Sequence, residues 1–187
     1  MFATKLIATV ATLAALGGVA RADEASNLFA PVAMTQDWEG FYAGVQLGGG
    51  TFETSGGSSD TAALGGAHAG YLWQTGRFVF GPEFDVNASG WAIGGTHMDA
   101  TASAKLRAGV AFDRTLVTGS VGYAHKWASA GPLSFDAGGL ALGAGIDFAA
   151  TDRVIVGADY TYTDIDDFGF SDTNSHSVRA RLSFRFD

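Results

Sequence analysis

The sequence predicts an all-β fold, an eight-stranded antiparallel up-and-down transmembrane β-barrel preceded by a cleavable signal peptide. Three observations support this prediction. From Trp38 onward, apolar residues recur with a period of two, which is typical of strands rather than helices. The repeats form eight segments of about seven to ten residues, close to the nine to eleven that a tilted membrane strand requires. Short and long connections alternate between them, as expected for an up-and-down barrel.

The composition limits the alternatives. The chain of 187 residues has 27 glycines, three prolines, no cysteine, 47% hydrophobic residues and a formal charge of −8. So many apolar residues and so few prolines argue against a disordered or collagen-like chain. A chain without cysteine cannot be a disulfide scaffold or hold a thiolate-bound metal. An acidic chain is not expected to bind nucleic acid, because phosphate contacts require clustered Lys and Arg side chains.

The first 22 residues are predicted to be a secretory signal peptide. Lys5 supplies its positive charge, residues 6–19 its apolar stretch, and residues 20–22 a small-residue cleavage site. Cleavage leaves nine basic and 19 acidic residues, a formal charge of −10. We expect an exported protein with a flexible lead-in over residues 23–37 and the barrel over residues 38–187.

The eight predicted strands share one pattern, in which an aliphatic and aromatic face alternates with a face of glycine, polar and charged residues. In chain order they cover residues 41–48, 67–74, 78–87, 104–112, 117–123, 140–148, 153–162 and 178–186. Tight turns are predicted at residues 75–76, 113–114 and 150–152, and long connections near residues 49–61, 89–101, 126–137 and 164–175. The short turns are expected to face the periplasm and the long loops the cell exterior.

Charge decides which strand face meets lipid. The predicted lumen charge network consists of Glu83, Asp85, Lys105, Arg107, Asp147, Asp159, Arg179, Arg181 and Arg185. A basic residue facing lipid near the membrane midplane would cost about 2–4 kcal/mol, so this face should point inward. Glycines on the same face leave room for the long side chains. An eight-stranded barrel is just filled by its side chains, and the network is close to charge balance. We therefore expect a closed or very narrow lumen, with a small-solute porin as the alternative.

Aromatic residues at both ends of the strands predict two membrane-interface girdles. Those near the short turns or the C-terminus are Trp73, Phe78, Phe112, Phe148, Phe184 and Phe186. Those toward the long connections are Tyr123, Trp127, Tyr160 and Tyr162.

Several short motifs resemble a known family. They read WEGFYAG at 38–44, AGYLWQ at 69–74, GPEFD at 81–85, RAGVAFDR at 107–114, GAGIDF at 143–148 and DYTYTD at 159–164. In this order and spacing, the chain resembles the opacity-type, porin-like outer-membrane immunogenic proteins of proteobacteria, which are related to the OmpA transmembrane barrel. The resemblance spans residues 38–186. The chain departs from it with Asp147 and Asp159 in place of glutamate, Pro82 in mid-strand, and Asp187 after the last aromatic residue.

The resemblance implies a structural, surface-exposed protein of the bacterial outer membrane, with roles in envelope integrity, surface antigenicity or host contact. We expect outer-membrane lipid, lipopolysaccharide and the barrel assembly machinery as partners, and a monomer. Long acidic loops would carry any contact with the exterior.

No metal or other cofactor is expected. Asp164, Asp166 and Gly169 begin like a calcium-binding loop, but Phe168 and Ser175 stand at positions five and twelve, so the bidentate acid is missing. A solvated acidic loop is the favoured interpretation. Divalent bridging to lipopolysaccharide phosphates is the alternative.

An enzyme is the less favoured alternative, and no catalytic residue is assigned. His176 suggests comparison with barrel lipid A deacylases, which resemble one another in a His-x-Ser pair on one face of the last strand. Here Ser175 and Ser177 flank His176 directly, so period-two geometry places both on the opposite face.

Overall fold

Eight strands account for most of the residues that the computed structural model describes, which are 36–54, 59–93, 96–130, 133–165 and 173–186. The strands are β1 (Gly40–Thr54), β2 (Ser59–Thr75), β3 (Phe78–Ile93), β4 (Thr96–Phe112), β5 (Thr115–Ala130), β6 (Leu133–Ala149), β7 (Val154–Ile165) and β8 (Thr173–Phe186). The predicted signal peptide and most of the predicted lead-in lie outside these residues. In the described part of the chain, no helix has the length and hydropathy that a membrane crossing requires.

The strands form one closed barrel, which confirms the predicted fold class. Each strand pairs antiparallel with its neighbours in sequence, in the order β1 to β8. Closure comes from the antiparallel pairing of β1 with β8, whose register runs from Phe41 opposite Phe186 to Thr54 opposite Thr173. Closure gives every described strand a hydrogen-bonded neighbour on both sides, as a barrel surrounded by lipid requires.

Three short turns define one end of the barrel, here called the short-turn end, and the opposite end is called the far end. Gly76 and Arg77 join β2 to β3, one residue later than predicted, and the positive φ of Gly76 (60°) suits a tight turn. Asp113 and Arg114 join β4 to β5, with Asp113 at φ 53°, a conformation that Asp tolerates better than most residues. Residues 150–153 join β6 to β7.

The strands are longer than predicted. They contain 12 to 17 residues, and β1 continues to Thr54 through a segment predicted to be a long connection. Most of the predicted connections at 49–61, 89–101 and 126–137 are strand. Backbone pairing continues there although the aliphatic alternation fades. A ladder needs only N–H and C=O groups, whereas alternation is imposed only where one strand face contacts lipid.

Pro82 coincides with a local interruption of the ladder between β2 and β3. The paired residues run as far as Gly70 opposite Glu83 and resume at Trp73 opposite Phe80. Proline has no N–H to donate, so the missing pairs accommodate it within a strand of the barrel.

The two faces of the wall differ in polarity as predicted. Aliphatic side chains cover the outside, where Val45, Leu47, Leu106 and Val178 are between 58% and 70% exposed. The inward face buries the charged residues. An exposed apolar belt around a buried polar interior is the reverse of a water-soluble barrel and suits a wall in contact with lipid.

Candidate functional site

The lumen is filled in layers, and the layer nearest the short-turn end is apolar. Trp38, just before β1, is 2% exposed and lies in a cluster that also includes Leu72, Val79, Leu116 and Ile155. Its backbone N–H donates to Gln74 Oε1 (2.7 Å), and its indole Nε1 donates to the carbonyl of Asp113 (3.3 Å). These contacts hold the indole across the short-turn end. The sequence pattern did not reveal this role, because Trp38 precedes the first strand.

Above the apolar layer lies a set of buried charges, here called the ion-pair layer. It consists of Glu83, Asp85, Lys105, Arg107, Asp147, Asp159, Arg179 and Arg181, each 5% exposed or less. All eight belong to the charge network predicted for the lumen. They come from β3, β4, β6, β7 and β8, so the layer connects strands that are far apart in sequence.

Glu83 is the centre of the ion-pair layer. Its carboxylate accepts hydrogen bonds from the Tyr42 hydroxyl (2.8 Å) and the Arg107 guanidinium (3.0 Å). Lys105 Nζ lies 3.3 Å from the other carboxylate oxygen, and the Arg181 guanidinium also donates to Glu83. Three cations therefore share one carboxylate, which requires further acids nearby.

Three aspartates supply those acids. Asp147 lies 2.7 Å from the Arg107 guanidinium, and Asp159 pairs with the Arg179 guanidinium. Asp85 lies 2.9 Å from Lys105 Nζ and 3.4 Å from Arg179. The four acids and four bases of the layer therefore balance, and each acid has at least one hydrogen-bonded cation. Such geometry is what allows buried ion pairs to offset their desolvation cost.

Inward-facing glycines leave space for these side chains. A Cβ on Gly157 would collide with the Asp147 carboxylate, and one on Gly70 would lie 2.6 Å from the Tyr42 hydroxyl oxygen. The glycine enrichment of the inward face is thus tied to the bulk of its polar neighbours.

Two further basic residues lie at opposite ends of the lumen. Arg185, the ninth residue of the predicted network, lies near the short-turn end, where it is partly exposed and donates to the backbone carbonyl of Asp37. Lys126 was not predicted, because it fell in a presumed connection. It is 3% exposed, and its ammonium donates to the Ser175 hydroxyl (2.7 Å). Extending the period of two along β5 would have placed it inside.

A polar cavity lies between the ion-pair layer and the far end. Its volume is about 50 Å³, and its lining includes Lys126, Arg179, Asn87, Thr161 and Ser175.

The predicted girdle residues lie on the outer wall. Near the short-turn end, Trp73, Phe78, Phe112, Phe148, Phe184 and Phe186 are each 43–52% exposed. Near the far end, the Tyr160 hydroxyl lies 2.7 Å from His176 Nδ1, and the Tyr162 ring centroid lies 5.1 Å from that of His176.

The residues considered for an enzyme site are separated by the wall. Ser175 is buried in the lumen, whereas His176 contacts Tyr160 on the outer surface. Among the described residues, no group of three or more His, Cys, Asp or Glu side chains is arranged to hold a metal ion. Asp166, Phe168 and Gly169 of the calcium-like segment lie outside the described residues.

Comparison with known proteins gives consistent matches. A family model described as "Outer membrane protein beta-barrel domain" matches residues 10–186. The "22 kDa outer membrane protein" of Rhizobium leguminosarum bv. viciae is 32% identical over 146 residues, covering 72% of this chain and 68% of that protein. The "31 kDa outer-membrane immunogenic protein" of Brucella melitensis is 29% identical over 236 aligned residues, covering 97% of this chain and 98% of that protein.

Two solved structures share the fold. Neisserial surface protein A superposes with a TM-score of 0.60 at 20% identity, covering 78% of this chain and 97% of that one. Ail, the attachment invasion locus protein of Yersinia pestis, superposes with a TM-score of 0.58 at 18% identity, covering 79% of this chain and 99% of that one.

Proposed function

This chain belongs to the outer membrane protein β-barrel domain family, and we propose from this premise that it is a structural, surface-exposed barrel with a closed lumen. Its location is the bacterial outer membrane. The lumen holds a buried charge network. The proposed role is to maintain the envelope and to present its far end to the exterior, rather than to conduct solutes or catalyse a reaction.

The observation that carries the closed-lumen proposal is the pair of filled layers across the barrel. Trp38 and its apolar neighbours occupy the short-turn end, and the ion-pair layer fills the middle. A solute crossing the barrel would have to displace both. Opening the ion-pair layer would leave buried charges without partners, which costs about 3–5 kcal/mol for each broken pair.

The residues on the outer wall support the proposal that the barrel is a monomer surrounded by lipid. Aliphatic side chains cover it between the aromatic residues of the two ends, as in an outer-membrane barrel with two interface girdles. Outer-membrane lipid and lipopolysaccharide are therefore the proposed partners of the wall, and the barrel assembly machinery is the proposed partner during insertion.

The names of the relatives support a surface role. Two Brucella proteins similar to this chain are described as immunogenic outer-membrane proteins. In the proposed orientation, the short-turn end faces the periplasm, and the connections at the far end are available to antibodies or host surfaces.

Conductance in planar lipid bilayers tests the closed lumen. We expect the purified, folded chain to insert without producing large, stable conductance steps, because both layers block the lumen. A general diffusion porin reconstituted in the same membrane serves as the positive control. Large and stable steps from this chain would instead establish the small-solute porin function and refute the closed lumen.

A further inference from the structure

One short segment connects parts of the barrel that the strand ladder leaves apart. We propose that residues 36–39, here called the strap, are a latch that keeps the pairing of β1 with β8, here called the seam, closed. The strap precedes β1 and lies across the short-turn end of the lumen. The inference goes beyond the proposed function, because it concerns how long the barrel stays closed rather than what passes through it.

The strap is bound to strands on both sides of the seam. On one side, the Arg185 guanidinium of β8 donates to the backbone carbonyl of Asp37. On the other, the Gln74 side chain of β2 accepts a hydrogen bond from the Trp38 backbone N–H (2.7 Å), and the Gln74 backbone N–H donates to the Glu39 carboxylate (3.2 Å). The strap stays covalently attached to β1, so separating β8 from β1 at this end would break its contact with β8.

A third anchor of the strap lies opposite the seam. In a closed barrel of eight strands, the turn between β4 and β5 is diametrically opposite the pairing of β1 with β8. The Trp38 indole Nε1 donates to the carbonyl of Asp113 in that turn (3.3 Å), and the indole is buried within the apolar cluster. The strap therefore spans the lumen from the seam to the opposite wall and limits how far the seam can widen.

A glycine lets the strap turn into the lumen. Gly40 is the first residue of β1 and has a φ of 133°, a conformation that favours glycine. A Cβ there would also lie 3.3 Å from the carbonyl oxygen of Phe186 at the end of β8. Within the strap, the Glu39 backbone N–H donates to the Asp37 carboxylate (2.8 Å). The bend is thus built into the chain at the start of the strand that closes the barrel.

The contacts of the strap require a barrel that has already closed. They join residues that are 36, 75 and 148 positions apart in the sequence. The two longest bring together β8, the turn between β4 and β5, and the start of β1, which lie near one another only when all eight strands are in place. Interactions that form after the folding transition state slow unfolding and leave the folding rate nearly unchanged. A latch of this kind is therefore expected to act on the unfolding rate.

Rates of unfolding and refolding in lipid vesicles, measured by heat-modifiable gel migration, test the proposal. We expect Trp38→Ala to unfold at least about a hundredfold faster than the wild type, the effect of losing a buried tryptophan. Its refolding rate should change by less than about threefold, because the strap docks after the transition state.

Engineered disulfides separate a latch on the seam from ordinary core packing. The chain has no cysteine, so Ala43→Cys with Phe184→Cys, which are opposite each other across the seam, forms one defined crosslink. In this crosslinked barrel, Trp38→Ala should accelerate unfolding by less than about tenfold, because the disulfide already holds the seam. Phe84→Cys with Ala104→Cys, opposite each other between β3 and β4, is the matched control and should leave the acceleration at its full size.

A milder variant decides if Trp38→Ala does not form the barrel. Trp38→Phe keeps an aromatic ring but loses the N–H that bonds the Asp113 carbonyl, and it should unfold about tenfold faster than the wild type. The same two crosslinks are then applied to it. The proposal is overturned if the folded variant unfolds at the wild-type rate, or if its refolding slows as much as its unfolding accelerates. It is also overturned if the seam crosslink reduces the acceleration no more than the crosslink between β3 and β4 does.

Discussion

At the scale of single residues, Glu83 shows why the inward charges of this barrel act together. Its carboxylate is shared by Arg107, Arg181 and Lys105, and it also accepts a hydrogen bond from Tyr42. Removing one cation would leave two others in place, whereas removing the carboxylate would leave three buried cations around a neutral group. The energetic consequence of a substitution therefore depends on the number of partners rather than on charge alone.

Replacing Glu83 by Gln should destabilise the barrel strongly. The amide keeps the shape of the side chain but leaves the ion-pair layer with four bases and three acids, one buried positive charge in excess, and we expect the free energy of unfolding to fall by about 3–5 kcal/mol. Urea unfolding in lipid vesicles, followed by tryptophan fluorescence, measures it. Glu39→Gln is the control. Glu39 is exposed, so its substitution should change stability by less than about 0.5 kcal/mol. Equal effects of the two substitutions would contradict the central role of Glu83.

The sequence predicted which charged residues point inward, but not which residues they pair with. A period of two places Glu83 and Arg181 on inward faces, yet they are 98 residues apart in the chain. Arg185 follows the same period and lies at the partly exposed end instead. Arg185 lies at a different depth along the lumen from Glu83 and Arg181, and local periodicity contains no information on depth.

At the scale of strands, backbone proximity between β1 and β8 explains part of the glycine content. A Cβ on Gly48 would lie 2.7 Å from Arg179 Cα and also collide with the Val178 carbonyl, so the three atoms nearest to it are all backbone atoms. Neighbouring Gly49 differs, because its Cβ would make an ordinary contact of 3.5 Å with the Ala62 carbonyl. Adjacent glycines of one strand therefore have different roles.

The substitution Gly48→Ala should weaken the closing pair of strands. The clash involves backbone that cannot rotate away, so we expect a loss of about 1–3 kcal/mol in the free energy of unfolding. The fraction of chain that shows heat-modifiable migration after refolding should fall with it. Gly49→Ala adds the same methyl group one residue later and should leave both quantities near wild type. A wild-type result for Gly48→Ala would mean that β1 and β8 are less closely apposed than described.

Strand existence was predictable, but strand length was not. The alternation that revealed β1 ends near Gly48, while pairing with β2 continues to Glu53 opposite Ser59. Lipid imposes alternation only on the segment that it contacts, and beyond it glycine and hydroxyl residues pair through their backbones without leaving a pattern.

At the scale of the whole molecule, the lumen is filled differently along the barrel axis. Trp38 and its apolar neighbours occupy the short-turn end of the lumen, the ion-pair layer lies above them, and a cavity of about 50 Å³ follows toward the far end. The orientation in the membrane therefore decides which of these layers lies toward the cell exterior.

Cysteine labelling tests the proposed orientation. The chain has no cysteine, so single substitutions are specific reporters. A maleimide linked to a polyethylene glycol too large for porins should label Thr61→Cys on intact cells, because Thr61 is exposed near the far end of β2. Asp152→Cys, exposed at the short-turn end, should react only after lysis. If Asp152→Cys is labelled on intact cells and Thr61→Cys is not, the barrel has the orientation opposite to the one proposed.

The secondary structure class, the number of strands and the polarity of the two faces were predictable from the sequence. These follow from local alternation and from the cost of placing Lys105 or Arg107 against lipid, both of which can be evaluated strand by strand. Only the closed barrel pairs β1 with β8, places Trp38 inside the short-turn end of the lumen, and places Lys126 in the lining of a cavity. Those features depend on register and on distance along the barrel axis, which arise only when all eight strands close around a common lumen.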